Sequence, residues 1–132
     1  MRVLALDYGR ARTGVAISDP TGTVARPVGV VERAATGDGL SELARLVEEH
    51  APERIVVGYP LTLRGERGDQ ARETDAFVEA LRARVDVPVV TFDERFTTAL
   101  AATMPPSASA EDARAAAHLL SSYLAWSSGA PA

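Results

Sequence analysis

The chain has 132 residues, a mass of 13.9 kDa and a hydrophobic fraction of 46%, which suits one globular domain with its own core. It has no cysteine and two histidines, so disulfide scaffolds, zinc fingers and thiol nucleophiles are excluded, and any metal should be a hard cation with oxygen ligands. The net charge of -4 argues against a passive basic surface for nucleic acid, but not against an enzyme with a local basic patch. We expect a single domain over residues 1–132, with residues 127–132 as a frayed tail.

The first third of the chain predicts an antiparallel meander of three strands. Residues 3–6 form a continuous apolar run that ends at Asp7, as in a central strand buried on both faces. Residues 13–18 predict a second strand. Asp19 is assigned to the turn that follows it. Residues 23–32 predict a third strand, and Pro27 within it favours an edge position because proline cannot donate a ladder hydrogen bond.

The remainder alternates between helical and strand patterns. Apolar spacing predicts a helix over residues 39–50, a strand over 55–58, a helix around Phe77 and a strand over 87–92. Such units favour parallel pairing with right-handed crossovers. The sequence therefore predicts an α/β fold with a five-stranded mixed sheet, antiparallel first and parallel later, with helices packed on it.

A last helix carries one apolar face. The residues of that face are Ala115, Ala116, Leu119, Leu120, Tyr123 and Leu124. Helical spacing places Asp112 on the same face, where an acid is costly unless it is paired or binds a cation. Alternatively, Asp112 is the third-position acid of a capping box with Ser109. Trp126 is predicted to close the core.

Three carboxylates stand where a sheet protein would place a catalytic site. Asp7 ends the first strand, Glu94 follows the fifth strand, and Asp112 lies at the start of the last helix's core face. If they converge, their repulsion favours divalent cations, and Mg²⁺ prefers carboxylates together with substrate phosphates. Two ions roughly 3.5–4 Å apart can activate water and stabilise a leaving oxygen, with Asp7 bridging both. The alternatives are a turn cap for Asp7 and a surface pair with Arg95 for Glu94.

Basic and hydroxyl side chains near these acids are candidates for phosphate contacts. They are Arg12, Arg64, Arg67, Arg95, Thr97 and Thr98. Arg12 and Arg95 neighbour the acids and suit a non-bridging phosphate oxygen. Thr97 and Thr98 open a predicted helix and serve equally well as caps. The loop with Arg64 and Arg67 suits either a nucleic-acid backbone or solvent.

Four motifs, in order along nearly the whole chain, resemble those of the YqgF family. The first is Ala5-Leu6-Asp7-Tyr8-Gly9 with Arg12, Gly14-Val15-Ala16 and Ser18-Asp19, and the second is Val57-Gly58-Tyr59-Pro60-Leu61 with Gly65 and Gln70. The third is Asp93-Glu94-Arg95-Phe96-Thr97-Thr98, and the last is Asp112 with Ala115-Ala116 and Leu119-Leu120. Each motif alone is weak, but together they are specific.

That resemblance implies an RNase H-like fold and a nuclease that uses Mg²⁺ or Mn²⁺ bound by Asp7, Glu94 and Asp112. It implies a nucleic-acid substrate, either the precursor of 16S rRNA during ribosome biogenesis or, in the older view, branched DNA at a Holliday junction. A ribosomal subunit precursor is then a further partner. Family members are described as monomers or homodimers.

Other classes remain open at this point. A non-catalytic nucleic-acid or ribosome-assembly protein on the same scaffold is the main alternative. An actin-like nucleotide-binding module is less favoured, because 132 residues supply one lobe and such ATPases need two. The sequence has no apolar run of about 18 residues, and Asp7 interrupts the first apolar run too early for a secretory signal. We therefore expect a cytoplasmic protein with no membrane partner.

Overall fold

A computed structural model describes residues 1–60, 68–93 and 108–127, with side chains in the last helix from Asp112 onward. The elements, in chain order, are β1 (Val3–Asp7), β2 (Arg12–Ser18), β3 (Ala25–Glu32), α1 (Gly37–His50), β4 (Arg54–Tyr59), α2 (Asp69–Arg82), β5 (Val89–Asp93) and α3 (Ala108–Ser127). Ser127 is thus helical, and the rest of the predicted tail lies outside the described residues.

The five strands form one mixed sheet in the order β3-β2-β1-β4-β5. Strand β1 pairs antiparallel with β2 and parallel with β4, β2 pairs antiparallel with β3, and β4 pairs parallel with β5. The predicted mixed sheet, with its antiparallel and parallel parts, is confirmed. The carboxyl ends of β1, β4 and β5 lie along one edge of the sheet because these three strands are parallel.

Strand β3 is an edge strand, as Pro27 predicts. Pro27 lies opposite Ala16, where the β2–β3 register shifts. Strand β3 begins later than the predicted residue 23 because Asp19 holds the residues before it in a turn. The Asp19 carboxylate accepts the N–H groups of Thr23 and Val24 at 2.8 and 2.9 Å.

Helix α1 begins two residues before the apolar pattern predicts. Thr36 is its N-cap, and the Thr36 hydroxyl accepts the N–H of Gly39 at 3.2 Å. A capping hydroxyl satisfies one of the free donors of the first turn, so the helix includes polar residues that carry no hydrophobic signal.

The sheet separates two hydrophobic clusters. Alternate residues of β1 divide between them: Leu4 and Leu6 pack with α1 and α2, whereas Val3 and Ala5 pack with α3. Both faces of the central strand are therefore covered, as its continuous apolar run predicts.

Two expectations about α3 are wrong. Ser109 lies within the helix, so it is not the N-cap of a capping box with Asp112. Trp126 does not close the core: it is 63% exposed, with its ring 5.7 Å from Phe92 and 6.0 Å from Tyr123 between centroids. Tyr123 takes the buried position instead, at 3% exposure, in the cluster that α3 forms with Val3 and Ala5.

Candidate functional site

Asp7 is the last residue of β1 and is half-buried at the carboxyl edge of the sheet. Side chains alternate along a strand, so Asp7 shares the face of Val3 and Ala5, which is the face covered by α3. Its partner on β2 is Gly14. The first acid of the predicted site therefore faces the helix that carries the last one.

Gly14 brings the backbone of α3 against the sheet. A Cβ at Gly14 would lie 1.9 Å from the carbonyl oxygen of Asp112 and 3.2 Å from the nitrogen of Ala113. Only glycine permits so close an approach between two backbones. Because Gly14 is also the cross-strand partner of Asp7, the backbone of Asp112 lies beside the pair of strands that carries Asp7.

Arg12 forms an ion pair with Asp112. The Arg12 Nε lies 3.0 Å from Asp112 Oδ2, with the two side chains 46% and 32% exposed. Asp112 Oδ2 itself is buried and, among the described residues, has no partner with hydrogen-bond geometry. The ion pair therefore neutralises this oxygen by charge and proximity, without a well-directed hydrogen bond.

The β1–β2 turn that carries this site is narrow. A Cβ at Gly9 would lie 2.4 Å from the carbonyl oxygen of Arg12. The buried Thr13 hydroxyl is 3.4 Å from the Gly9 nitrogen and 3.5 Å from the Gly9 oxygen. The turn is fixed on both sides of Arg12, so the direction in which Arg12 leaves the sheet is defined.

The same turn is attached to α2 on the opposite face. The ring of Tyr8 stacks on Phe77 with centroids 4.4 Å apart, and Arg10 pairs with Glu73. Burial raises the pKa of the Tyr8 phenol, and the nearby Glu73 carboxylate adds to the rise. Tyr8 and Arg10 thus anchor the turn to α2, while Asp7 and Arg12 face α3.

The other predicted site residues lie outside the described residues. They are Glu94, Arg95, Thr97, Thr98, Arg64 and Arg67. The described part of β5 ends at Asp93, which is the last residue of a strand rather than part of a turn. Asp93 alternates with Thr91 and Val89, which packs toward α1 and α2, so it does not share the face of Asp7.

The carboxylates of Asp7 and Asp112 are of the kind that binds a hard cation, because carboxylate oxygens are the preferred protein ligands of Mg²⁺ and Mn²⁺. Asp112 Oδ2 is buried and its charge is met by Arg12, so Oδ1 is the oxygen of this carboxylate that is left for a cation. Within residues 1–60, 68–93 and 108–127, no three acids or histidines cluster closely enough to hold a metal. Asp7 and Asp112 are the predicted ligands that fall within these residues, and Glu94 lies outside them.

The sequence motifs contain Gly14 and Arg12 but do not reveal what either residue contacts. Gly14 lies between the β-branched residues Thr13 and Val15. An isolated glycine within a strand indicates close backbone approach, so the sequence carried a signal for its role. The Arg12–Asp112 pair joins residues from opposite ends of the chain, and nothing in the sequence pairs them.

The fold is similar to that of a protein of known structure. Thermus thermophilus RuvC, solved alone and in complex with a Holliday junction substrate, superposes with TM-scores of 0.65 and 0.67 at 17% and 18% identity. The superposition with the complex covers 98% of this chain and 96% of RuvC. The RNase H-like fold implied by the motif resemblance is confirmed.

The chain belongs to the RuvX family of Holliday junction resolvases, also called YqgF, whose family model matches residues 1–126. A relative from Desulforamulus reducens is 36% identical over 94% of this chain and 96% of its own length. One from Desulforudis audaxviator is 41% identical over 75% of this chain and 70% of its own. Both are named as candidate pre-16S rRNA nucleases.

None of the helices in the described ranges combines the length and hydropathy needed to cross a membrane.

Proposed function

We propose that the protein is a divalent-metal-dependent endonuclease that hydrolyses phosphodiester bonds, acting in 5′-end processing of pre-16S rRNA during ribosome biogenesis. The observation that carries the proposal is that Gly14, the cross-strand partner of Asp7, touches the backbone of Asp112. Two acids on one sheet face, at the edge where β1 ends, repel each other at close range, and a divalent cation between them would offset that repulsion.

Asp7, Glu94 and Asp112 would hold the cation or cations, either Mg²⁺ or Mn²⁺. When bound, such ions activate a water and stabilise the leaving oxygen of a phosphodiester. The chain's own contribution is to orient the ligands. The β1–β2 ladder fixes Asp7, and the packing of the α3 backbone on Gly14 fixes Asp112.

Six residues are the proposed contacts to the nucleic-acid backbone. They are Arg12, Arg64, Arg67, Arg95, Thr97 and Thr98. Arg12 pairs with Asp112 through one edge of its guanidinium, and its side chain is nearly half exposed, so its other donors suit a phosphate next to the acids.

The names of the relatives favour ribosomal RNA as the substrate, whereas the family description and the RuvC complex favour branched DNA. We propose the RNA precursor as the principal substrate and the ribosomal subunit precursor as its setting, in the cytoplasm, with the protein acting as a monomer or homodimer.

The test is a cleavage assay on a pre-16S rRNA fragment and on a four-way DNA junction, with and without Mn²⁺. Wild type should cleave the RNA only when metal is present. Asp7→Asn removes one negative charge from the site while keeping the side-chain shape. It should lower the rate by more than the roughly 10–100-fold that loss of an outer-shell partner of a metal ligand costs.

The matched control is Asp86→Asn, the same change at an exposed residue before β5, at the opposite edge of the sheet. It should cleave like wild type. Full activity of a folded Asp7→Asn protein would refute the catalytic role, and binding of the RNA without cleavage by wild type would instead support an assembly protein on this scaffold.

A further inference from the structure

The two oxygens of the Asp112 carboxylate have different surroundings. Oδ2 is buried and lies 3.0 Å from Arg12 Nε, although the Asp112 side chain as a whole is 32% exposed. The exposed part of the side chain therefore excludes Oδ2. A carboxylate held in this way presents its other oxygen, Oδ1, as the one that solvent or a cation can approach.

Arg12 is placed for this role by the strand that carries it. Arg12 and Gly14 are two residues apart on β2 and so lie on the same face of the sheet, the face on which α3 packs at Gly14. Arg12 reaches Asp112 across the contact that positions the helix. Its positive charge therefore lies beside the Asp112 carboxylate.

We propose that Arg12 is a positioning residue of the metal site: by holding Oδ2 of Asp112 it orients Oδ1 as a ligand for the divalent cation. The inference rests on the proposed metal-dependent function and assigns Arg12 a role besides phosphate contact. Carboxylate ligands are commonly oriented by a second hydrogen-bonding or charged partner, and loss of that partner typically costs 10–100-fold in metal affinity.

The role should be visible in metal binding and not in folding. Both side chains of the pair are substantially exposed, and ion pairs of this kind contribute little to stability. Removing Arg12 should thus leave the melting temperature without metal nearly unchanged, while weakening the affinity for the cation.

Arg10 is the matched control. It lies in the same β1–β2 turn and carries the same charge, but its guanidinium pairs with Glu73 of α2 on the other side of the sheet. Loss of Arg10 therefore removes one positive charge near the site without touching the Asp112 carboxylate.

The experiment is a calorimetric titration of the full chain with Mn²⁺, in the absence of nucleic acid, so that phosphate contacts play no part. Arg12→Ala should weaken Mn²⁺ binding about 10–100-fold, Arg12→Lys should recover part of the loss, and Arg10→Ala should bind within about twofold of wild type. Asp112→Asn should lose most of the binding.

Equal affinity of wild type and Arg12→Ala would overturn the inference and reduce the pair to a surface contact. Tighter binding by Arg12→Ala would also overturn it, because Arg12 would then compete with the cation. Either result, with Mn²⁺ still bound by wild type, leaves the proposed nuclease function standing. A wild type that binds no Mn²⁺ would overturn both proposals.

Discussion

At the scale of single residues, Gly14 is a position where no side chain larger than hydrogen fits. Its backbone touches that of Asp112, and a Cβ added at this position would lie only 1.9 Å from the carbonyl oxygen. Neither partner is the end of a flexible side chain, so an added methyl group must displace the helix or the strand. The position of Asp112 relative to Asp7 therefore depends on having glycine, which lacks a Cβ, at residue 14.

Gly14→Ala should lower the free energy of unfolding by about 1–3 kcal/mol, the usual cost of overpacking a tight contact, and should also weaken Mn²⁺ binding because Asp112 moves away from Asp7. Urea denaturation and a Mn²⁺ titration measure the two effects.

Gly29→Ala is the control for that substitution. Gly29 lies on the edge strand β3, and a Cβ there meets no atom within 4 Å. The free energy of unfolding of the Gly29→Ala variant should stay within about 0.5 kcal/mol of the wild-type value. If both alanine variants lose the same stability, the close approach at Gly14 is not the cause.

At the scale of secondary-structure elements, the sequence predicts every strand and helix in the described ranges, because each buries an apolar pattern against the sheet. The predicted and observed boundaries differ at the ends of elements that a polar side chain determines. Thr36 starts α1 early by capping it, and Asp19 delays β3 by bonding the N–H groups of Thr23 and Val24. Hydrophobic periodicity cannot predict such boundaries, since they depend on single hydrogen bonds.

Asp19 makes the β2–β3 turn sensitive to acid. Hydrogen bonds from Thr21 and from the backbone at Val24 and Thr23 hold the pKa of Asp19 well below its ordinary value of 3.8. A carboxyl whose pKa is lowered by folding stabilises the protein above its unfolded pKa, and that stabilisation is lost as the pH falls from 3.8 toward the folded pKa.

Asp19→Ala should therefore be less stable than wild type near neutral pH, and the difference should narrow as the pH falls below about 3.8. Urea unfolding at several pH values measures it. Asp86→Ala, at an exposed position, should show no such convergence. A wild-type advantage that persists unchanged at low pH would mean that the turn does not depend on the ionised carboxylate.

At the scale of the whole molecule, the candidate site joins the two ends of the chain. The position of Asp7 could be predicted because a buried strand ends there, and that of Asp112 because it lies on an apolar helix face. Their convergence follows from strand order and from where α3 crosses the sheet, which local patterns do not encode. The Arg12 contact depends on that crossing, so it emerges only from the assembled fold.

A cation bound between Asp7 and Asp112 would link β1 to α3, so it should stabilise the whole fold. A ligand at about 100 times its dissociation constant adds roughly 2.7 kcal/mol to the free energy of unfolding. For a domain of this size the melting temperature should rise on the order of 10 °C. Thermal melts with Mn²⁺ and then with excess chelator measure the rise and its reversal. Asp7→Asn should show little of it, and an equal rise in that variant would mean that Mn²⁺ stabilises the acidic surface in general and not this pair.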